Sequence, residues 1–191
     1  MIQIRQNTFE TNSSSTHALC IDTSDFWTSE TDKNYLDIWR KEAKPICVKH
    51  RDYGRCPAKP LVTLQEKVDY LWTAVVDIYY DYNWDTREYL EGNPKQIKWW
   101  KEKILDELPN GSYFKEVCDD GCWGIDHAQN MRNFLTICEK KPRYIHCLLD
   151  DNSFIELGGD EYPNMIFAFL PRVEECIIPM PGKYSVYIKG N

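Results

Sequence analysis

Long apolar runs are missing from this sequence. No stretch of the 191 residues approaches the roughly 20 apolar residues that a membrane-spanning helix needs. The opening residues, MIQIRQN, also lack the basic start and the apolar run of a secretory signal peptide. We therefore expect a cytoplasmic protein that does not associate with membranes.

An excess of positive charge is missing as well. The chain has 23 Lys and Arg residues against 30 Asp and Glu residues, which gives a formal net charge of -7. General binding to nucleic acid needs a basic surface, so we expect no direct binding of that kind. The acidity is compatible with a protein partner that is itself basic.

CxxC pairs are absent, although the chain contains eight cysteines. Structural zinc sites are usually built from four Cys and His ligands with tight spacings such as CxxC. Two sets come near to this pattern, Cys118-x3-Cys122 with His127 and Cys47-x2-His50 with Cys56, and each supplies at most three ligands. Cys118 and Cys122 are thus weak candidate metal ligands, a structural zinc is an alternative that the spacing does not favour, and no cofactor is assigned.

Known catalytic signatures are absent too, because the sequence contains no P-loop, nucleophile elbow or zinc-hydrolase motif.

The composition nevertheless supports a folded core, since 42% of the residues are hydrophobic and 14% are aromatic. Apolar residues recur at intervals of three and four over 64–82, which predicts an amphipathic helix. Thr63 and Glu66 match a capping box at its start.

The other predicted elements alternate irregularly along the chain. Helices are predicted over 94–108, 127–140 and 163–170, and 143–149 fits either a strand or a short helix. Strands are predicted at Ile2–Arg5, Ala18–Asp22, Ser153–Leu157, Cys176–Ile178 and Tyr184–Ile188. Without regular alternation or a dividing linker, the pattern predicts an α+β fold: one compact domain over 1–191, with a mixed or antiparallel sheet packed against three or more helices.

The most unusual segment is polar and lies between the first two predicted strands. It contains five candidate ligand-binding residues and a histidine: Asn12, Ser13, Ser14, Ser15, Thr16 and His17. Such side chains can donate hydrogen bonds to a phosphate or carboxylate, and a histidine can act as acid or base near neutral pH. The alternative is a polar turn whose side chains bond to the local backbone.

This segment also carries a resemblance to a known group. RQNTFETNSSSTHAL, at 5–19, resembles the opening of bacteriophage and Firmicutes proteins of uncharacterised function that begin with an FETNSSSTHS-like stretch. GIDH at 124–127 and GGDE at 158–161 are similar to later stretches of the same group. The resemblance implies an origin in a phage or mobile element of a Gram-positive host, and it implies no activity.

Two later polar pairs are candidate site residues. Asp126 and His127 stand at a predicted helix start, where the carboxylate can orient the imidazole or simply cap the helix. Asp160 and Glu161 follow two glycines, where they can bind a ligand or form an ordinary turn. Together with His17, Asp126 and His127 are the candidate catalytic residues of an enzyme hypothesis, in which the protein hydrolyses or transfers groups on a nucleotide or other phosphate compound.

An acidic and aromatic segment over 77–91 is the candidate partner-binding surface. Its proposed contact residues are Asp77, Asp81, Trp84, Asp85, Glu88, Tyr89 and Glu91. Aromatic side chains are common at binding hot spots, and surface acids complement a basic partner. The alternative is a solvated acidic helix end. The favoured hypothesis is therefore an anti-defence protein that binds and inhibits a host nuclease, such as a CRISPR effector, and the enzyme is its alternative.

Overall fold

The computed structural model describes residues 15–22, 37–53, 60–83, 88–117, 124–125, 131–151, 153–159, 177–179 and 184–189. The strands are β1 Ser15–Asp22, β2 Cys47–Val48, β3 Tyr80–Asn83, β4 Glu88–Glu91, β5 Tyr113–Phe114, β6 Phe154–Gly159, β7 Ile177–Pro179 and β8 Tyr184–Lys189. The helices are α1 at 37–42, α2 Leu64–Tyr79, α3 Pro94–Leu105, α4 Arg132–Lys140 and α5 Arg143–Leu149. The predictions at Ile2–Arg5 and 163–170 lie outside the described residues.

The largest sheet is antiparallel, with the strand order β6-β1-β8-β7. Leu61 extends its β6 edge, because its backbone exchanges two hydrogen bonds with Ile155, of 2.7 and 3.0 Å. Leu19 and Ile21 of β1 are fully buried, and α5 packs against this strand. The α+β prediction is confirmed, with two smaller sheets: the parallel pair β2–β5 and the antiparallel hairpin β3–β4.

Helix α2 is the central helix, since every residue from Lys67 to Val76 is buried. The predicted capping box is present: the Thr63 hydroxyl accepts a hydrogen bond from the Glu66 backbone N–H, and the Glu66 carboxylate accepts one from the Thr63 N–H. The ammonium group of Lys67 donates hydrogen bonds to the carbonyl oxygens of Asp150 and Ser153. These bonds fasten the α5–β6 turn to α2, although burial lowers the pKa of Lys67.

The predicted end of α2 differs from the structure. The helix ends at Tyr79, not at 82, and the backbone of Tyr80 is already extended. Tyr82 matches the helical spacing in the sequence, but it pairs with Tyr89 across the β3–β4 hairpin. Pairing between segments has therefore overridden the local periodicity.

The remaining helices agree with the sequence more closely. Asn93 caps α3 by accepting a hydrogen bond from the Gln96 N–H, with Pro94 in the first turn, and the helix ends three residues before the predicted 108. Helix α4 covers the second part of the predicted 127–140, and 143–149 is a helix rather than a strand. Cys138 and Cys147 are buried in the core, as expected of small hydrophobic side chains.

Candidate functional site

The β3–β4 hairpin contains much of the acidic and aromatic segment and has two different faces. Its register pairs Asp81 with Leu90 and Tyr82 with Tyr89. Asp81 is exposed and half of the Leu90 side chain is accessible to solvent, whereas both tyrosines are half-buried. Because alternate residues of a strand point to opposite faces, we call the Asp81–Leu90 side the outer face and the Tyr82–Tyr89 side the inner face.

The inner face packs on residues of the core. The rings of Tyr82 and Tyr89 lie 5.0 Å apart, and the ring of His50 meets Tyr89 edge-on at 5.3 Å. Edge-on and tilted aromatic pairs at this separation are favourable. These contacts hold the hairpin against the extended segment 47–53.

A buried histidine–aspartate pair lies beneath the inner face. The Nε2 atom of His50 is 3.2 Å from Oδ1 of Asp77, and the two side chains are only 4% and 11% exposed. The second Asp77 oxygen accepts a hydrogen bond of 2.7 Å from the Ile125 N–H. A Cβ atom at Gly124, whose φ is +71°, would lie 2.4 Å from the Asp77 oxygens, so only glycine fits there.

The placement of Asp77 changes its predicted role. We expected a surface acid that meets a partner, but burial has taken the carboxylate into the interior and raises its pKa. The hydrogen bonds from His50 and from the Ile125 N–H partly oppose that rise. Asp77 thus ties the end of α2 to two other segments and does not belong to the outer face.

Asp77 belongs to a polar stripe on α2, which we define as Gln65, Asp69, Thr73 and Asp77. Residues spaced by four share one face of a helix. Asp69 is fully buried and accepts hydrogen bonds from the Lys49 N–H at 2.8 Å and from Arg51 Nε at 2.5 Å. Thr73 accepts one from the Arg51 N–H at 3.0 Å. The stripe therefore binds the backbone of the segment 47–53, and sequence analysis missed it although its four-residue spacing is visible in the sequence.

The other predicted contact residues differ in position. Glu91 is exposed and forms an ion pair with Lys101, and Tyr89 lies on the inner face. Glu88 is in β4, and the structure describes only its backbone. Trp84 and Asp85 lie outside the described residues.

Two of the candidate ligand-binding segments meet at one end of the large sheet. Ser15, Thr16 and His17 belong to β1, which begins three residues before the predicted strand. In the register of β1 and β6, Ser15 pairs with Gly159 and Thr16 with Gly158. The start of β1 and the end of β6 therefore lie side by side at the same end of the sheet.

The remaining candidate residues of these segments are outside the described residues: Asn12, Ser13, Ser14, Cys118, Cys122, Asp126, His127, Asp160 and Glu161. Within the described ranges, no three His, Cys, Asp or Glu side chains form a group that could hold a metal ion. The zinc alternative therefore stays a prediction about Cys118 and Cys122.

Comparison of the chain with protein-family models, with curated proteins and with solved structures finds no match. In the part of the chain that the structure describes, none of the helices has the length and apolar character to cross a bilayer.

Proposed function

We propose that this protein is a phage or mobile-element anti-defence factor that binds and inhibits a host nuclease, such as a CRISPR effector. The observation that supports the proposal is the outer face of the β3–β4 hairpin. There, the half-exposed Leu90 lies directly opposite the exposed carboxylate of Asp81. An apolar side chain beside an acid is suited to a partner surface that offers an apolar contact next to basic groups.

The rest of the hairpin favours binding because its inner face is already ordered. A flexible loop loses conformational entropy when it binds, and a segment that is fixed beforehand avoids this cost. Tyr82 packs on Tyr89, and Tyr89 packs on His50, which supports the strands from below. The net charge of -7 adds long-range attraction to a basic nuclease, and this attraction is weakened by salt.

The experiment is a DNA-cleavage assay with a panel of purified CRISPR effector nucleases from Firmicutes. We expect the protein to inhibit at least one of them, and we expect Asp81→Lys/Leu90→Ser, the hairpin variant, to inhibit about tenfold or more less strongly, because hot-spot truncations cost this much. The matched control is Glu102→Lys/Val62→Ser, which makes the same chemical changes at exposed positions on α3 and before α2.

Two results would contradict the proposal in different ways. If the hairpin variant and the control inhibit equally, the outer face is not the contact surface. If the unaltered protein inhibits none of the nucleases at micromolar concentrations, the inhibitor function itself is refuted.

A second candidate function is hydrolysis or group transfer on a nucleotide or other phosphate compound. The pairing of Thr16 with Gly158 favours it, since it places residues of both candidate ligand-binding segments side by side at one end of the sheet. His17 and His127 are the proposed general bases. A screen of nucleotides for phosphate release is expected to find turnover that His17→Ala or His127→Ala abolishes and His146→Ala preserves. Absence of turnover, or turnover that all three variants retain, would refute the enzyme.

A further inference from the structure

The open end of the β3–β4 hairpin is the place where its two strands join α2 and α3. Tyr80 and Glu91 are register partners there, at the first pair of the hairpin. The Asp81 side chain lies close to Gly92 next to this pair, because a Cβ atom at Gly92 would be 2.5 Å from an Asp81 carboxylate oxygen. The Asn93 N–H donates a hydrogen bond of 3.0 Å to the Tyr79 carbonyl and closes the connection.

One cation contacts both strands at this end. The Lys101 ammonium group, on α3, lies 3.7 Å from a Glu91 carboxylate oxygen of β4. Its positive charge also acts on the Tyr80 side chain of β3, where it opposes the rise that burial causes in the pKa of Tyr80. Lys101 thus interacts with both members of the first hairpin pair.

The same ammonium group is anchored to the core. It lies 5.6 Å from the ring centroid of Trp72, a fully buried residue of α2. A lysine at this distance from a tryptophan ring is attracted to the face of the ring. The Trp72 ring also meets the Tyr80 ring edge-on at 6.2 Å. The hairpin is therefore held at a second point, separate from the His50–Tyr89 contact.

We infer that Lys101 is a positioning residue that fixes the β3–β4 hairpin in its binding conformation, through Tyr80, Glu91 and Trp72. The inference rests on the proposed function in assigning partner binding to the outer face. Lys101 itself lies at the open end of the hairpin, beside Tyr80 and Glu91, and not at the Asp81–Leu90 pair. Its loss lets the strands open locally and leaves the chemistry of the outer face unchanged.

Hydrogen exchange of the backbone amides tests the positioning role of Lys101 without any partner. In Lys101→Met, we expect the amides of 80–83 and 88–91 to exchange about five- to tenfold faster, since a partly exposed ion pair and a cation–π contact are each of modest strength. Core amides of α2 are expected to keep their rates. Lys98→Met is the matched control, because Lys98 is on the same helix, is 78% exposed and pairs only loosely with Glu102 at 3.9 Å.

A conservative variant distinguishes the loss of the positive charge from a change in the size of the side chain. Lys101→Arg keeps the cation and is expected to preserve slow exchange in the hairpin. If Lys101→Met does not fold, Glu91→Gln tests the ion pair alone and is expected to accelerate the same amides by a smaller factor. Unchanged hairpin exchange, or equal acceleration in α2 and the hairpin, overturns the inference.

The nuclease assay then connects the positioning role of Lys101 to binding. We expect Lys101→Met to inhibit less strongly than Lys98→Met, by the factor by which the closed fraction of the hairpin falls, and the exchange rates give this factor. A change in inhibition that departs from this factor overturns the positioning role. If the unaltered protein inhibits no nuclease, the proposed function fails, while the exchange data still decide whether Lys101 holds the hairpin.

Discussion

Replacing Asp69 by alanine tests whether the polar stripe of α2 holds the segment 47–53. Asp69 is fully buried, and its carboxylate accepts hydrogen bonds from the Lys49 N–H, the Gln65 side-chain amide and Arg51 Nε, at 2.8, 2.8 and 2.5 Å. Alanine removes the carboxylate that accepts all three hydrogen bonds. The substitution therefore leaves without an acceptor donors that folding has taken away from water.

The expected cost follows from these contacts. Hydrogen bonds to a charged group contribute about 1.5–3 kcal/mol each, and a buried donor without an acceptor costs about 1–3 kcal/mol. Arg51 is 46% exposed, so water replaces part of its lost interaction with Asp69. The Arg51–Asp69 hydrogen bond therefore adds less than a fully buried one to the expected loss of stability. For Asp69→Ala we expect the free energy of unfolding to fall by about 3–5 kcal/mol. Asp69→Asn keeps one acceptor oxygen and is expected to lose less.

Urea unfolding followed by tryptophan fluorescence measures this change. Glu102→Ala is the control: it removes an exposed acid on α3 and is expected to change the free energy of unfolding by less than about 0.5 kcal/mol. The urea dependence should stay the same in all variants, since the surface exposed on unfolding is unchanged. A loss of less than about 1 kcal/mol for Asp69→Ala would show that Asp69 does not hold the segment 47–53, because removing a buried acceptor of three hydrogen bonds should cost more than this.

Two further predictions concern titrating pairs. Burial raises the pKa of Asp77 above 3.8. At pH values between 3.8 and the raised pKa, the folded state therefore binds more protons than the unfolded state. The contribution of Asp77 to stability falls as the pH rises through this window. We therefore expect the stability of Asp77→Asn relative to the unaltered protein to increase with pH over this window in urea unfolding; a difference independent of pH would contradict this. Hydrogen bonding to Glu107, 2.8 Å away, raises the pKa of His146 above 6.5, so this pair stabilises the fold below pH 6.5 and its contribution is lost as pH rises through the raised pKa. Glu107→Gln should accordingly lower the melting temperature more at pH values below 6.5 than at pH values above the raised pKa of His146, and an equal loss in both pH ranges would exclude the coupling.

Local signals in the sequence predicted the local features of the fold. Capping by Thr63 with Glu66, and by Asn93 before Pro94, involves residues within three positions of each other, so the sequence alone contains the whole interaction. The boundary of α2 depends on a different kind of contact. Tyr80–Asn83 form a strand only because Glu88–Glu91 pair with them, and helical periodicity does not report that pairing.

The candidate site likewise has features that the sequence predicts and features that it does not. The sequence shows the composition of the site, since acids and aromatics are concentrated over 77–91. The separation of buried from exposed acids was not visible, because Asp77 is buried by His50 and Ile125, which no motif connects to it. The meeting of Thr16 with Gly158 likewise depends on the pairing of β1 with β6, two strands far apart in sequence.

The cleavage assay with purified effector nucleases, run with the unaltered protein and the hairpin variant Asp81→Lys/Leu90→Ser, decides whether the protein inhibits a nuclease through the outer face of the hairpin. We expect inhibition by the unaltered protein, weaker inhibition at higher salt, and a loss of about tenfold or more in the hairpin variant. Equal inhibition by the two proteins, or none by the unaltered protein, would contradict this expectation.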